Sequence, residues 1–369
     1  MSTLAEVTAL VAEHGLVVRR AWPRSAEHLL LDLVPATGPA VAGQWLAEPS
    51  AAGRVAAKTG RPATVHGRVV LQPSGADRRL RAVARLLQQP GAVLVAHRPE
   101  RRAVVRRPDG AYAKVVGPDR IPGLLRAASI TAGCGARVPT VVDVDRDSGV
   151  VTTAALSGRT LFELLVEGGA PAVAAARQLG GALAALHASP LPAGAAVHDA
   201  EAERKVLARW LQLARVHGVL RRPIELPDVP PGAAPLVPVH RDLHDKQVLV
   251  DASGDVGLID FDLAAAGEAA LDLANLLVHL ELRVHQGRCS PELGAAAARA
   301  VLAGYAPRPD VLRRLPFYDA ATRRRLVAVY AFRPPSAAAA RRLLDTPLLR
   351  SERYARGDTA GQQSRGALR

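Results

Sequence analysis

The stretch PVHRDLHDKQVLVDASGDVGLIDFDL, residues 238–263, sets six Asp and two His among Val, Leu and Ile. A segment that only builds a core does not carry so many carboxylates. KQVLVD and VGLIDF read as two strands joined by a turn at ASGD. Asp242 lies in the loop before the first strand, Gln247 follows it by five positions, and Asp260 ends the second strand. A hairpin brings Gln247 and Asp260 to the same end, where Asp242 can sit beside them. Two carboxylates and an amide oxygen at the mouth of a cleft suit a hard cation such as Mg²⁺, which takes oxygen ligands and often shares them with substrate phosphates. A further carboxylate can orient a hydroxyl and accept its proton.

Outward from this stretch, the two halves of the chain differ. Residues 1–95 read as short β-like runs broken by Gly and Pro (HLLLDLV, AVAGQWLAEP, ATVHGRVVL), with one helix expected at DRRLRAVARLLQQ. GAVLVAHRPERRAVVRRPDGAYAKVV alternates apolar and polar residues around turns at RPER and RPDG. In the second turn Pro presets φ and Gly permits a positive one. RIPGLLRAASITAGCGA predicts a helix, and PTVVDVDRDSGVVTTAAL two strands joined at RDSG. From Thr160 onward the apolar spacing is helical, in LFELLVEGG, AVAAARQLGGALAALHASP and DAEAERKVLARWLQLARVHG, and again over 290–345. A β-rich N-terminal half thus precedes a helical one, and a cleft between two lobes is a natural ligand site.

Composition narrows the function. No apolar run reaches bilayer length, and residues 1–10 lack the basic start and apolar block of a signal peptide, so a soluble, cytoplasmic protein is expected. Cys134 and Cys289 stand far apart, in no metal-like or disulfide-framework spacing. The net charge is +14, and residues 283–369 hold 17 Arg against 6 acidic residues. Without aromatic interleaving or a nucleic-acid motif, that excess reads as an arginine-rich helical surface, and no nucleic-acid partner is expected. Only four lysines occur, Lys58, Lys114, Lys205 and Lys246, so one kept among so many Arg points to a need for a compact ammonium.

HRDLHDKQVLVD resembles the catalytic-loop pattern His-x-Asp-x-x-x-x-Asn of the protein-kinase-like fold, with Gln247 where Asn is usual. LIDFD resembles the metal-binding Ile-Asp-Phe segment of the aminoglycoside phosphotransferase and choline kinase group of small-molecule kinases. GEAALDLANLL resembles that group's Gly-Asp-Pro-x-x-Asp-Leu-Ala, with Glu268 and Ala269 replacing Asp-Pro, and LGGALAALHASPLP resembles its helix ending in Leu-His. The resemblance covers roughly residues 95–340 and implies an α+β, bilobal kinase-like fold. Residues 1–90 would be a β-rich extension, 91–157 the N-lobe, 158–350 the helical C-lobe and 351–369 a flexible tail. It implies Asp242 as catalytic base, Asp260 and Gln247 as Mg²⁺ ligands, and Lys114, in AYAKVV after the Pro-Asp-Gly turn, on the ATP phosphates. The backbone of Ala154, Ala155 and Leu156 would hold adenine.

The sequence departs from the pattern in two places. No Glu occurs between Lys114 and Val150, so the helix expected at GLLRAASITAG offers no carboxylate to hold Lys114. No glycine-rich phosphate loop is present. The expected function is an ATP- and Mg²⁺-dependent phosphotransferase acting on a hydroxyl of a small molecule. Because the helical lobe is rich in Arg, a neutral or anionic acceptor is expected rather than an aminoglycoside. The alternatives are a weak or inactive nucleotide-binding pseudokinase with a regulatory role, motivated by the missing helix Glu, and a binder of anionic partners through the basic C-terminal region.

Overall fold

The computed structural model describes residues 2–131 and 134–345; the expected tail, 351–369, lies outside the described residues. The chain opens with α1 (Thr3–Ala12), capped by the Ser2 side chain and burying Leu4, Val7 and Val11 along one face. Strands β1 (Leu16–Ser25), β2 (His28–Pro35) and β3 (Val41–Leu46) follow, then α2 (Pro49–Thr59), β4 (Thr64–His66) and β5 (Val69–Gln72). They form an antiparallel sheet in the order β1-β2-β3-β5-β4. HLLLDLV is almost continuously apolar because β2 is buried along most of its length. Neither α1 nor α2 is expected from the sequence. α1 is ten residues long and α2 buries only Ala52 and Val55, so each carries a weak helical signal.

The next helix, α3 (Ala82–Leu87), is shorter than the expected 77–89. Asp77 takes the backbone N–H groups of Arg79 and Leu80 into a turn instead, at 2.8 and 3.1 Å. A second antiparallel sheet is built from β6 (Val93–Arg98), β7 (Arg102–Arg106), β8 (Tyr112–Val116), β9 (Val141–Asp145) and β10 (Val150–Thr153), with α4 (Ile121–Ser129) between β8 and β9. Its order is β6-β7-β8-β10-β9. The expected turn at RPDG joins β7 to β8, with Gly110 at φ +86°.

The remaining elements are β11 (Arg159–Thr160), α5 (Leu161–Glu167), α6 (Ala170–Ala188), β12 (Val197–His198), α7 (Ala200–Val216), β13 (Leu236–Val239), β14 (Val248–Val250), β15 (Val256–Leu258), β16 (Ala265–Glu268), α8 (Ala270–His285), α9 (Pro291–Tyr305), α10 (Pro309–Tyr330) and α11 (Ala337–Arg341). The fold is α+β, with a sheet lobe and a helical lobe. β14 and β15 pair antiparallel, Val248 opposite Leu258, which is the expected hairpin. α8 is the core of the helical lobe and is buried continuously from Ala270 to Arg283. No helix among the described residues is long and apolar enough to cross a membrane.

α6 and α9 meet through two glycines. A Cβ on Gly180 would fall on the Val301 carbonyl of α9, and one on Gly304 on the Arg177 carbonyl of α6. Both obstacles are backbone, so the helices themselves would have to separate. Gly304→Ala is expected to cost about 1–3 kcal/mol, the usual penalty for overpacking, read as a lower midpoint in thermal or urea denaturation.

The N-terminal sheet is fastened to both lobes. Its core side chains Val18, Leu29, Leu31 and Trp45 pack with Leu207, Leu211 and Ala214 of α7 and with Ala321, Ala328 and Phe332 at α10. Ala21 N donates to Phe332 O at 2.8 Å, and His217 Nε2 donates to Ser25 O at 2.8 Å. On the other side it grips the turn between β6 and β7. Glu100, at φ +57°, gives its N–H to Asp77 at 2.7 Å, and its carboxylate takes Arg78 at 2.6 Å and Arg24 at 3.1 Å.

Candidate active site

Asp272, on the first turn of α8, organises the loop that carries Asp242. Its fully buried carboxylate accepts the backbone N–H groups of His240 and Arg241, both at 2.7 Å, and contacts the His187 ring at 3.2 Å. Burial presses the Asp272 carboxyl upward; the His187 hydrogen bond, the charges of His187 and His240 and the backbone donors outweigh it and bring the group below its ordinary value. One turn further along α8, Asn275 Nδ2 donates to Arg241 O at 3.0 Å. These contacts hold Arg241 at φ +70°, a conformation that a non-glycine residue adopts only when its surroundings enforce it. The His240 ring lies 4.5 Å from that of Phe261 and donates to Ile259 O at 2.9 Å. The loop before β14 is thereby tied to the segment after β15, where Asp260 stands at φ +66°.

Lys114 reaches this segment from β8. Its Nζ donates to Asp260 Oδ1 at 2.9 Å and contacts Asp262 Oδ1 as well. Arg102 on β7 adds a second cation, 3.0 Å from Asp262 Oδ2 and 3.6 Å from Asp260 Oδ1. Burial alone would raise the Asp260 carboxyl, but Lys114 and then Arg102 overcome it and hold it at about 2. Asp262 and Arg102 are not among the residues expected from the sequence. The carboxylate missing from α4 arrives from the IDFD segment, in which residues two apart can point the same way.

Gln247 sits at the end of a short 3₁₀ turn, Asp245–Gln247, with its N–H on His244 O at 2.9 Å and its C=O accepting from Ile259 N at 3.0 Å. Its side-chain Oε1 is buried and has no hydrogen-bond partner. A buried amide oxygen without a donor is costly unless something else satisfies it. Among the described residues no three His, Cys, Asp or Glu side chains converge as a metal cluster. A carboxylate and an orphaned amide oxygen are nevertheless the donor types that a partly hydrated Mg²⁺ takes alongside substrate phosphates. Asp245 faces away and is locked to Arg283 by two hydrogen bonds of 2.9 and 2.8 Å.

Asp242, Gln247 and Asp260 line one cavity of about 1080 Å³. Neither Lys114 nor Ala154, Ala155 or Leu156 lines it. The last three connect β10 to β11, between the two lobes. The Ala154 N–H is already given to Thr140 O at 2.9 Å, so it is not available to a ligand. The structure therefore sets Asp242, Gln247 and Asp260 on one cavity, joins Lys114 to Asp260, and leaves residues 154–156 apart from the cavity. Part of the C-terminal Arg excess is structural: Arg314 pairs with Glu268 at 2.6 Å, Arg323 with Glu281 at 2.8 Å and Arg325 with Glu203 at 3.0 Å.

A sequence model of the phosphotransferase enzyme family matches residues 90–318, well over half of the chain. Among curated proteins no match is found. Similar solved structures include an aminoglycoside phosphotransferase of type 3''-Id from Streptomyces rimosus, 22% identical, covering 66% of this chain and 98% of that one, with a TM-score of 0.48. A choline/ethanolamine kinase family protein from Mesorhizobium loti is 19% identical over 72% of this chain and 95% of that one, with a TM-score of 0.46. A macrolide 2'-phosphotransferase from Brachybacterium faecium is 16% identical over 93% of this chain and 98% of that one, with a TM-score of 0.39. The loop at Asp242, the hairpin of β14 and β15 and the segment with Asp260 after it all lie inside the matched residues, and this chain belongs to the phosphotransferase enzyme family.

Proposed function

We propose that the protein transfers the terminal phosphoryl group of ATP, with Mg²⁺, to a hydroxyl of a small molecule that is neutral or anionic. The observation that supports this reading is the orphaned Oε1 of Gln247, a residue that lines one cavity together with Asp242 and Asp260. Phosphoryl transfer asks for positioning and charge neutralisation more than for covalent help. Asp242, on a loop fixed by Asp272 and Asn275, would orient the acceptor hydroxyl and take its proton as the new O–P bond forms. Asp260 and Gln247 would hold Mg²⁺, which neutralises charge on the nucleotide phosphates when bound. Lys114 would meet the α- and β-phosphates, with Asp262 and Arg102 fixing the geometry around it. Adenine would lie against the backbone of residues 154–156, using groups other than the Ala154 N–H.

On this reading residues 91–157 are the nucleotide-side lobe, 158–350 the catalytic lobe and 1–90 an added unit, and the reaction runs where ATP is supplied, in the cytoplasm. The alternative of an inactive nucleotide-binding module drew on the lack of a helix Glu beside Lys114. The Asp262 contact gives Lys114 a carboxylate partner and so supports the active reading. The test is ADP release by the purified full chain with ATP, Mg²⁺ and a panel of hydroxyl acceptors. Magnesium-dependent turnover that stops on chelation is expected. A protein that does not bind ATP with Mg²⁺ would overturn the reading, and tighter binding of kanamycin-like compounds than of sugars or acids would overturn the acceptor class.

A further inference from the structure

The cavity beside Asp242 is lined by ten Arg and Lys side chains against three Asp and no Glu. Several of these cations are matched within the protein: Arg19 and Arg20 by Asp32, Arg102 by Asp260 and Asp262, Arg283 by Asp245. Arg98, Lys246 and Arg333 are different. None of them forms an ion pair with a carboxylate of the described residues, and the Nε of Arg98 is buried with no hydrogen-bond partner. Each lies instead over an aromatic ring: Arg98 is 5.1 Å from the Trp22 centroid, Lys246 4.3 Å from Phe162 and Arg333 4.2 Å from Tyr330. Arg20 shares the Trp22 ring at 5.2 Å.

A ring face holds a cation without cancelling its charge. The chain has only three Trp, five Tyr and four Phe, and it places one of each kind under a cation at this cavity. The set repels itself. Burial and then Arg102 draw the Arg98 guanidinium down to about 9. Burial likewise lowers Arg333, which feels Arg20 and Arg283 on one side and Asp242 on the other. The charge of Arg20 contributes to both shifts. An arrangement of this kind is relieved by an anion carrying more than one charge.

We propose that the acceptor carries, besides the hydroxyl that is phosphorylated, a dianionic group of the phosphate-monoester kind, held among Arg20, Arg98, Lys246 and Arg333. This rests on the kinase reading above and sharpens its acceptor class. It also makes the N-terminal sheet part of the acceptor site, since Arg20 and Trp22 both lie on β1. The ATP phosphates belong at the Asp260 end of the cavity, beside Lys114 and Arg102, so the test fills that end with nucleotide before phosphate is added.

Two measurements on the full chain test the proposal. The first is binding of inorganic phosphate with the nucleotide site filled by a non-hydrolysable ATP analogue and Mg²⁺. Joint Arg333→Gln and Lys246→Gln substitution should weaken phosphate by at least about tenfold, the loss of one hydrogen bond to a charged group. Arg333→Lys should recover part of the loss, Arg299→Gln on the exposed face of α9 should change nothing, and the affinity for the nucleotide analogue should hold in every variant. The second is ADP release with matched acceptors: a neutral sugar, its phosphate monoester and its carboxylate counterpart. The phosphate monoester should be preferred, with its KM raised by the double substitution. Absence of phosphate binding, or binding indifferent to both substitutions, overturns the proposal, as does equal or better turnover of the neutral sugar or the carboxylate. Phosphate binding as expected, with no acceptor turned over, would leave the anion site standing and remove the kinase reading instead.

Discussion

Asp242→Asn lowers kcat by at least about a hundredfold, within the range that a positioned general base contributes, and leaves the affinity for ATP and Mg²⁺ unchanged. The substitution keeps the shape of the side chain and removes its ability to accept a proton. The loop itself should not move, because it is held through backbone atoms: Asp272 takes the N–H groups of His240 and Arg241, and Asn275 takes the Arg241 carbonyl. Steady-state ADP release and calorimetric nucleotide binding, measured on the same preparations, separate the two effects. A variant that keeps more than about a tenth of wild-type kcat would remove Asp242 from the base role.

Asp272→Ala destabilises the fold by about 3–5 kcal/mol, the cost of removing one partner from a buried charged network. It leaves two buried N–H groups and the His187 ring without their acceptor. Urea denaturation measures the loss directly. The pH dependence follows from the direction of the shift. The folded Asp272 carboxyl lies below its unfolded value, so its stabilisation is fully present above the unfolded value of about 4 and is lost as the pH falls through the folded one. Asp272→Asn should flatten that acid limb. If its stability falls off with acid as steeply as that of the wild type, other carboxylates govern the transition.

The parts of the site that the sequence reveals are those set by local spacing. Asp242, Gln247 and Asp260 come together because a short strand pair closes between them, and five positions plus one hairpin are enough to infer it. Lys114 is legible because a Pro-Asp-Gly turn fixes the strand it stands on. What stays hidden is contact between distant segments. Asp262 meets Lys114 across a separation of 148 residues, and no local pattern encodes which carboxylate a lysine will find. Arg98, Lys246 and Arg333 come from three separate segments, and what sets them apart from the paired arginines of the same cavity is a ring in place of a carboxylate partner among the described residues. Helices α1 and α2 escape detection for another reason. They are short, and the apolar face of each is small, so helical periodicity has little to act on.

The double attachment of the N-terminal sheet bears on how the protein can be handled. The family match begins at residue 90, which suggests a minimal catalytic piece starting there. Such a piece would uncover Leu207, Leu211, Ala214 and Phe332 and strip Glu100 of Asp77, Arg78 and Arg24. An exposed apolar patch of that kind is an aggregation hazard, and the hairpin tip would lose those anchors. The shared region is therefore expected to aggregate when cut from the first 90 residues, which solubility of the two pieces would check. Changes at the interface of β1 with α10 have to be made on both sides at once, and deletion series should stop before the first strand rather than cut between the two sheets.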